Sequence, residues 1–298
     1  MNARQDKPGT VPVTAIVTAW RRIEQTIGTI GRIRACQPAP DELLVHVDGG
    51  EADCAEAIRK ACPGIGIIES PESAGPGGGR NKLVAASRNE LVASFDDDSY
   101  PIDSDFFARV ISLFERFPEA ALIGASIFHR HEPEPPSTRA AGLTASFVGC
   151  GVIYQRSAFL DAGGYVPLPI AYGMEEEDLA LRMLNLGKTM LCSPWLRVFH
   201  DTDLNHHSSA EITAAQIANT ALLAFLRYPP HYWPYGAAQV LNRVLWSATH
   251  GRSRGLMSGL ARIPGHLWRR RALRGPVLAA AIRAKLAART SRPDEFSV

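Results

Sequence analysis

Cysteine is scarce and scattered: Cys36, Cys54, Cys62, Cys150 and Cys192 are the only five in 298 residues, and no two form a CxxC pair. That spacing argues against a zinc ribbon, a thioredoxin-type redox site and a disulfide framework, and leaves small apolar side chains of a reducing compartment. No stretch of about 18 uncharged apolar residues is present, so no segment reads as a membrane-crossing helix. Met1 to Val13 lacks the apolar run of a secretory leader, and the expected location is cytoplasmic. No glycine loop ends in Gly-Lys-Ser/Thr, which excludes a Walker A phosphate site, and no GxGxxG is spaced for a dinucleotide fold. Acids are missing from one whole region. Residues 212–293 carry 13 Lys/Arg and no Asp or Glu, whereas residues 1–211 carry 19 Lys/Arg and 28 Asp/Glu. The net charge of +2 therefore hides an acidic body with a basic tail, and the balance indicates no nucleic-acid partner.

The chain is 46% apolar, ample for a core. Strand-like runs at Thr14–Thr18, Leu43–Val47, Ile65–Ile68 and Leu91–Phe95 alternate with helical patterns over residues 21–35, 51–61 and 80–89. This alternation predicts parallel strands with helices on both faces, an α/β sheet whose ligand crevice lies beyond the carboxyl ends of the strands. Thr18, Asp48, the glycine-rich segment Gly75-Pro-Gly-Gly-Gly79 and Asp96-Asp97-Asp98 all fall at such ends. Further on, residues 105–116 read as helix, 121–128 and 147–154 as strands, and 129–142 as a proline- and charge-rich mobile loop. Residues 175–186 read as helix. Met190–Cys192 and Leu196–Phe199 are two short β pieces, and from about Ala210 onward all is helix, broken at Pro229-Pro230 and Pro264. His206 and His207, in a serine-containing polar turn, read as surface residues.

Three consecutive aspartates at the end of a buried strand repel one another unless a cation is near. In an extended segment Asp96 and Asp98 face one way and Asp97 the other, a spacing suited to Mg²⁺ or Mn²⁺ that also holds phosphate oxygens. The Gly75–Asn81 segment precedes a helix, where backbone amides and Arg80 can approach an anion, although a plain turn fits it as well. Glu175-Glu-Glu-Asp178 opens a helix, and four acids exceed what the macrodipole alone favours. Residues 175 and 178 share a face, with 176 about 100° away, so one carboxylate can act as a base while others brace the loop.

In this order, the strand to Thr18, Asp48, Gly79-Arg80-Asn81, Asp96-Asp97-Asp98, Gly163-Gly164-Tyr165, Glu175-Glu176-x-Asp178-Leu179 and His200 resemble the family 2 inverting glycosyltransferases over roughly residues 12–228. The resemblance implies a GT-A fold: a mostly parallel central sheet flanked by helices, here with a C-terminal helical extension. It implies a disordered segment over residues 1–11 and a catalytic domain over 12–209, divided into a nucleotide-binding half (12–100) and an acceptor-binding half (101–209). A basic helical region over 210–298 follows. By the same resemblance Thr18, Ala19 and Trp20 lie against the nucleotide, Asp48 against its base, and Gly79, Arg80 and Asn81 against nucleoside and diphosphate. Asp96 and Asp97 would contact the sugar nucleotide, and Asp96, Asp98 and His200 would hold Mn²⁺ or Mg²⁺. Glu176 matches the catalytic base, with Asp178 as its runner-up and Glu175 beside it. The sequence departs from the family pattern in having Glu176 rather than Asp at the base position, and Asp48-Gly-Gly after the second strand.

The implied activity is inverting sugar transfer from a nucleotide-diphosphate sugar, a UDP-sugar being the first expectation, to a hydroxyl of a glycan, a lipid-linked acceptor or a small molecule. A sugar nucleotidyltransferase would want a glycine-rich phosphate loop with Arg and Lys near residues 14–24, and none is there. A non-catalytic nucleotide-sugar-binding regulator has no need of the acids at 96–98 and 175–178. In the tail, tryptophans interleave with Arg262, Arg269-Arg270-Arg271, Arg274, Arg283 and Arg289. Such helices suit peripheral contact with a membrane through residues 251–293, packing on the catalytic domain, or a homodimer contact.

Overall fold

Alternation along the first strand divides the molecule. In β1 (Thr10–Ala19) the side chains of Val13, Ala15 and Val17 enter one buried cluster and Ile16 enters another, as the two-residue repeat of a strand requires. The first cluster collects Ile30 and Ile33 of α1 (Ile23–Arg34), Ala55 and Ile58 of α2 (Ala52–Ala61), and Phe106, Val110 and Leu113 of α4 (Phe106–Arg116). The second collects Leu83 and Val84 of α3 (Gly75–Ala86), Phe159 of α5 (Arg156–Asp161), and Leu179 and Met183 of α6 (Glu175–Asn185). A central sheet thus lies between two helical layers. This computed structural model describes residues 9–202, 209–290 and 295–297. Residues 1–8, within the segment expected to be disordered, lie outside the described residues, as do His206 and His207. Thr10 and Val11 already belong to β1.

The other strands are β2 (Ala39–Val47), β3 (Gly66–Glu69), β4 (Leu91–Asp96), β5 (Ser99–Pro101), β6 (Ala120–Phe128), β7 (Ala140–Leu143), β8 (Val152–Gln155), β9 (Thr189–His200) and β10 (Glu295–Ser297). Their order is β10-β7-β9-β6-β8-β4-β1-β2-β3, with β5 paired to β9. β1 to β4 are parallel, β8 runs against β4 and β6, and β6 and β9 are parallel again. The sheet is a mixed α/β sheet in which β8 is the reversed strand between its two halves.

Several elements differ from the sequence reading for local reasons. The glycine-rich segment is not a loop but the first turns of α3, with Pro76 near the helix start where its missing N–H costs nothing. Gly75 has φ +69° and lies so close to the backbone of Leu168 that any side chain would collide with it. The expected strand at 147–154 begins only at Val152, because Gly149–Gly151 form a 3₁₀ turn. The two β pieces near the end are one strand, β9, with an irregularity in its pairing to β6. Part of the expected 129–142 loop is β7, and the rest is tied down by Arg130–Asp201 (2.5 Å) and Arg197–Glu134 (2.6 Å) ion pairs. Pro264 does not break a helix but sits inside α9 (Leu256–Arg270). Before α9 come α7 (Ala210–Arg227) and α8 (Trp233–Thr249), separated at Pro229-Pro230, and after it comes α10 (Ala279–Thr290).

Candidate functional site

Strand register assembles the site. β1 and β4 pair so that Thr18 stands opposite Asp96, and Thr18 Oγ1 donates to Asp96 Oδ1 at 3.1 Å. β5 and β9 pair so that Ser99 stands opposite His200, which brings the imidazole to the aspartates; Asp201 N–H donates to the Asp98 carbonyl at 2.8 Å. His200 Nε2 lies 3.1 Å from Asp98 Oδ1. That carboxylate oxygen is buried and has no aligned hydrogen-bond donor. Across the ring, His200 Nδ1 lies 3.5 Å from Cys150 Sγ.

β4 ends at Asp96 and the chain turns through Asp97 and Asp98, so the alternation expected of an extended segment stops there. Asp96 turns to Arg80, whereas Arg22 serves both other acids, ion-paired with Asp98 and 3.5 Å from Asp97 Oδ2. Arg22 is a member of this cluster that motif reading missed. Its signal was a guanidinium following a strand that ends at the same sheet edge as three acids. The preceding Arg21 lies at φ +65°, a left-handed conformation uncommon for a non-glycine residue. Burial pushes the Asp97 carboxyl up to about 7. Burial also acts to raise Asp98, but His200 and Arg22 outweigh it and hold that carboxyl below its ordinary value.

Arg80 is the hub. Its guanidinium is almost fully buried, donates to Ser94 Oγ at 2.9 Å and to Glu175 Oε1 at 3.3 Å, and ion-pairs with Asp96. Ser94 Oγ in turn donates to the Gly149 carbonyl at 2.8 Å. The acids of α6 then go to four different places, as a rotation of about 100° per residue dictates. Glu175 accepts from Arg80 and from the Gly77 amide (3.1 Å); Glu176 accepts from the Gly149 amide (3.3 Å); Glu177 pairs with Lys285 of α10 (2.9 Å). Asp178, wholly buried, is held by Arg182 (2.6 Å) and Arg227 (2.5 Å). Burial raises both the Glu175 and Glu176 carboxyls above the usual glutamate range. The Gly149–Gly151 turn therefore touches Glu176 through Gly149 and His200 through Cys150, joining two motifs distant in sequence.

Some sequence-selected residues face elsewhere. Asp178 is not in the cleft, because two arginines use both its oxygens. Asn81 forms a reciprocal clip with the Tyr165 backbone, donating to its carbonyl at 2.8 Å and accepting from its amide at 2.7 Å. Gly79 packs α3 against β2, where any side chain would strike the His46 ring. Asp48 anchors the start of α3, accepting from Ala74 N–H (2.7 Å), Gly75 N–H (3.1 Å) and Ser73 Oγ (2.8 Å), rather than standing free for a base. Ala19 contributes backbone only, its carbonyl accepting from Asp48 N–H at 3.1 Å. Trp20 is 54% exposed beside Gly49, at the open end of β1 and β2. Tyr172, on the loop before α6, lies within electrostatic reach of Asp96, Asp98 and Glu176, and burial raises its hydroxyl pKa. It too escaped motif reading, since nothing in its spacing marks it.

The donor set fits a hard divalent ion. Asp96, Cys150 and His200 place ligand atoms within 4.8 Å of one another, and Asp98 offers its orphaned oxygen to the same histidine. Burial pushes the Cys150 thiol up, and a hard ion takes carboxylate oxygen and imidazole nitrogen in preference to a soft sulfur.

The architecture is the GT-A fold. The structure of GalNAc-T7 with UDP, GalNAc and Mn²⁺ is similar, with a TM-score of 0.58, 10% identity, and coverage of 78% of this chain and 52% of that one. The mannosyltransferase PcManGT from Pyrobaculum calidifontis, in complex with GDP-Man and Mn²⁺, is similar with a TM-score of 0.57, 17% identity, and coverage of 93% of this chain and 79% of that one. This chain thus spans about half the length of GalNAc-T7. Residues 14–156 match the profile described as Glycosyl transferase family 2. No curated protein sequence matches it.

Proposed function

We propose that the chain is an inverting glycosyltransferase that moves a sugar from a nucleotide-diphosphate donor to an acceptor hydroxyl. The observation that carries this reading is the Arg80 bridge between Asp96 and Glu175, which holds the acids at the end of β4 and those opening α6 in one cleft. Trp20, exposed beside the ends of β1 and β2, offers a face for the nucleobase, and Thr18 and Ala19 line the same edge. Asp96, Asp98 and His200 would hold Mn²⁺ or Mg²⁺. When bound, the ion would offset the charge of the departing diphosphate. The Mn²⁺ in both similar structures supports a divalent ion without choosing between the two.

Glu176 is the base. Its carboxylate accepts from backbone amides, Gly149 N–H at 3.3 Å among them, whereas Glu175 and Asp178 are engaged by arginines. Burial raises its proton affinity, which suits proton removal near neutral pH. Glu176 takes the acceptor hydroxyl proton as that oxygen attacks the anomeric carbon. The anomeric C–O bond breaks with its electron pair leaving on the diphosphate, and the configuration inverts in one displacement. UDP and GDP accompany the two similar proteins, and a UDP-sugar is tried first. The test is release of nucleoside diphosphate from a panel of UDP-, GDP-, TDP- and CDP-sugars with Mn²⁺, with hydroxyl acceptors of the three classes. Binding of a donor without transfer to any acceptor favours the regulator reading instead.

A further inference from the structure

The helices after residue 230 leave an apolar face uncovered. In α8, 17 residues long, only Gly236 and Ser247 are buried. Gly236 fits against Ala224 and the Tyr228 ring, so α8 sits close on α7 along a narrow seam. Its outward arc carries Trp233, Leu241, Leu245 and Trp246, with Leu241 at 59% and Leu245 at 55% exposure. α9 repeats the arrangement. Gly259 seats it on Ala214 and Ile217, while Met257 (77% exposed), Leu260 and Trp268 (66%) point outward at helical spacing. Exposed side chains of this size along two consecutive helices exceed the scattered apolar residues of an ordinary surface.

The charge around this face selects its occupant. Residues 212–293 hold no acid, so pairing two copies face to face would set arginine against arginine. At the rim of this face Arg252 lies over the Trp246 ring and Arg271 over the Trp268 ring, at 5.1 and 3.7 Å from the ring centres; on the other side of α9, against α7, a cavity of about 310 Å³ is lined by Leu168, Pro169, Arg262, His266, Arg269 and Arg270. Arg262 is matched by Glu211 at 2.8 Å, whereas Arg269 and Arg270 face no carboxylate among the described residues. Arg270 instead donates to His266 Nδ1 (3.1 Å), whose other nitrogen bonds Asn219 Oδ1 (2.9 Å). No described helix is long and apolar enough to cross a bilayer, so an apolar face with a basic flank fits the plane of a lipid surface. We infer that the α8–α9 face rests on an anionic membrane surface, with Leu241, Leu245, Met257 and Trp268 entering the interface and Arg252 and Arg271 at its rim meeting the lipid phosphates. This places the centre of the contact on α8, ahead of the residues 251–293 that charge alone had marked, and it stands independently of sugar transfer.

The test is co-sedimentation of the full chain with vesicles of phosphatidylcholine alone or with added phosphatidylglycerol. The chain pellets with the anionic vesicles and stays in solution with the neutral ones. Leu241→Glu with Leu245→Glu, both solvent-facing, lowers the vesicle affinity by about tenfold or more, as does Arg252→Gln with Arg271→Gln. Inorganic phosphate at millimolar concentration weakens pelleting only slightly, because the lipid surface supplies most of the contact. Equal pelleting with both vesicles, or none with either, overturns the inference. So does a lipid-free dimer that Leu241→Glu with Leu245→Glu dissociates, which gives the face to a second copy, or capture of an acidic protein by a chain that ignores vesicles.

Discussion

Arg80 donates to Glu175 Oε1 at 3.3 Å from a side chain that is almost fully buried, while its other terminal nitrogen pairs with Asp96. One guanidinium thus sets the spacing between the two acidic clusters. Arg80→Met leaves Glu175 buried and unmatched and lowers stability by about 3–5 kcal/mol. Arg80→Lys keeps the charge but cannot reach Ser94, Asp96 and Glu175 together, so it loses donor affinity with a smaller loss of stability. Thermal denaturation and donor titration calorimetry separate the two effects.

Glu176 and Asp178 share a helix and have opposite fates. Glu176→Gln lowers kcat by about 10²–10⁴-fold and leaves the fold and donor affinity intact. Asp178→Asn strands Arg182 and Arg227 in the interior and lowers stability by about 3–5 kcal/mol. Steady-state kinetics beside melting curves decide which residue is the base. Full turnover in Glu176→Gln with lost turnover in folded Asp178→Asn would reverse the assignment.

The raised Glu176 carboxyl has a pH signature with a definite sign. The base works only when charged, so kcat/KM falls as pH drops, with a midpoint above the ordinary glutamate value of about 4.3. A carboxyl raised on folding adds stability below its unfolded pKa and loses that contribution as pH rises through the folded value. Glu176→Gln is therefore more heat-stable than the parent chain at neutral pH, and the difference vanishes near pH 4. Melting curves across that window check it.

His200 and Asp98 make a further prediction, about the metal. Asp98→Asn and His200→Ala each lower Mn²⁺ affinity by at least about tenfold, read by electron paramagnetic resonance of free Mn²⁺. Cys150→Ala leaves that affinity nearly unchanged, because a soft sulfur adds little for a hard ion already held by carboxylates and imidazole. An equal loss on Cys150→Ala would make the cysteine a ligand.

The sheet edge was legible because parallel strands end together: Thr18, Asp48 and Asp96 could be placed from strand runs alone. His200 was not, since its position depends on pairing with β5, a strand of three residues. Helical spacing put Glu175 and Asp178 on one face but could not reveal that Arg80 waits for one and Arg227 for the other. Gly79 and Asn81 looked like ligand contacts because close backbone approach and amide side chains serve packing equally well. Here α3 uses them against His46 and Tyr165. Arg22 was passed over because an arginine opening a helix carries no local mark of the acids it meets across the sheet.

The most direct test of the account compares the parent chain with Glu176→Gln in one assay, following nucleoside diphosphate release and the anomeric configuration of the product by NMR. The account predicts that at least one nucleotide-sugar donor is consumed to an inverted product by the parent chain. Glu176→Gln should bind that donor equally tightly and turn it over at least about a hundredfold more slowly. A product of retained configuration, or unchanged turnover in Glu176→Gln, contradicts it.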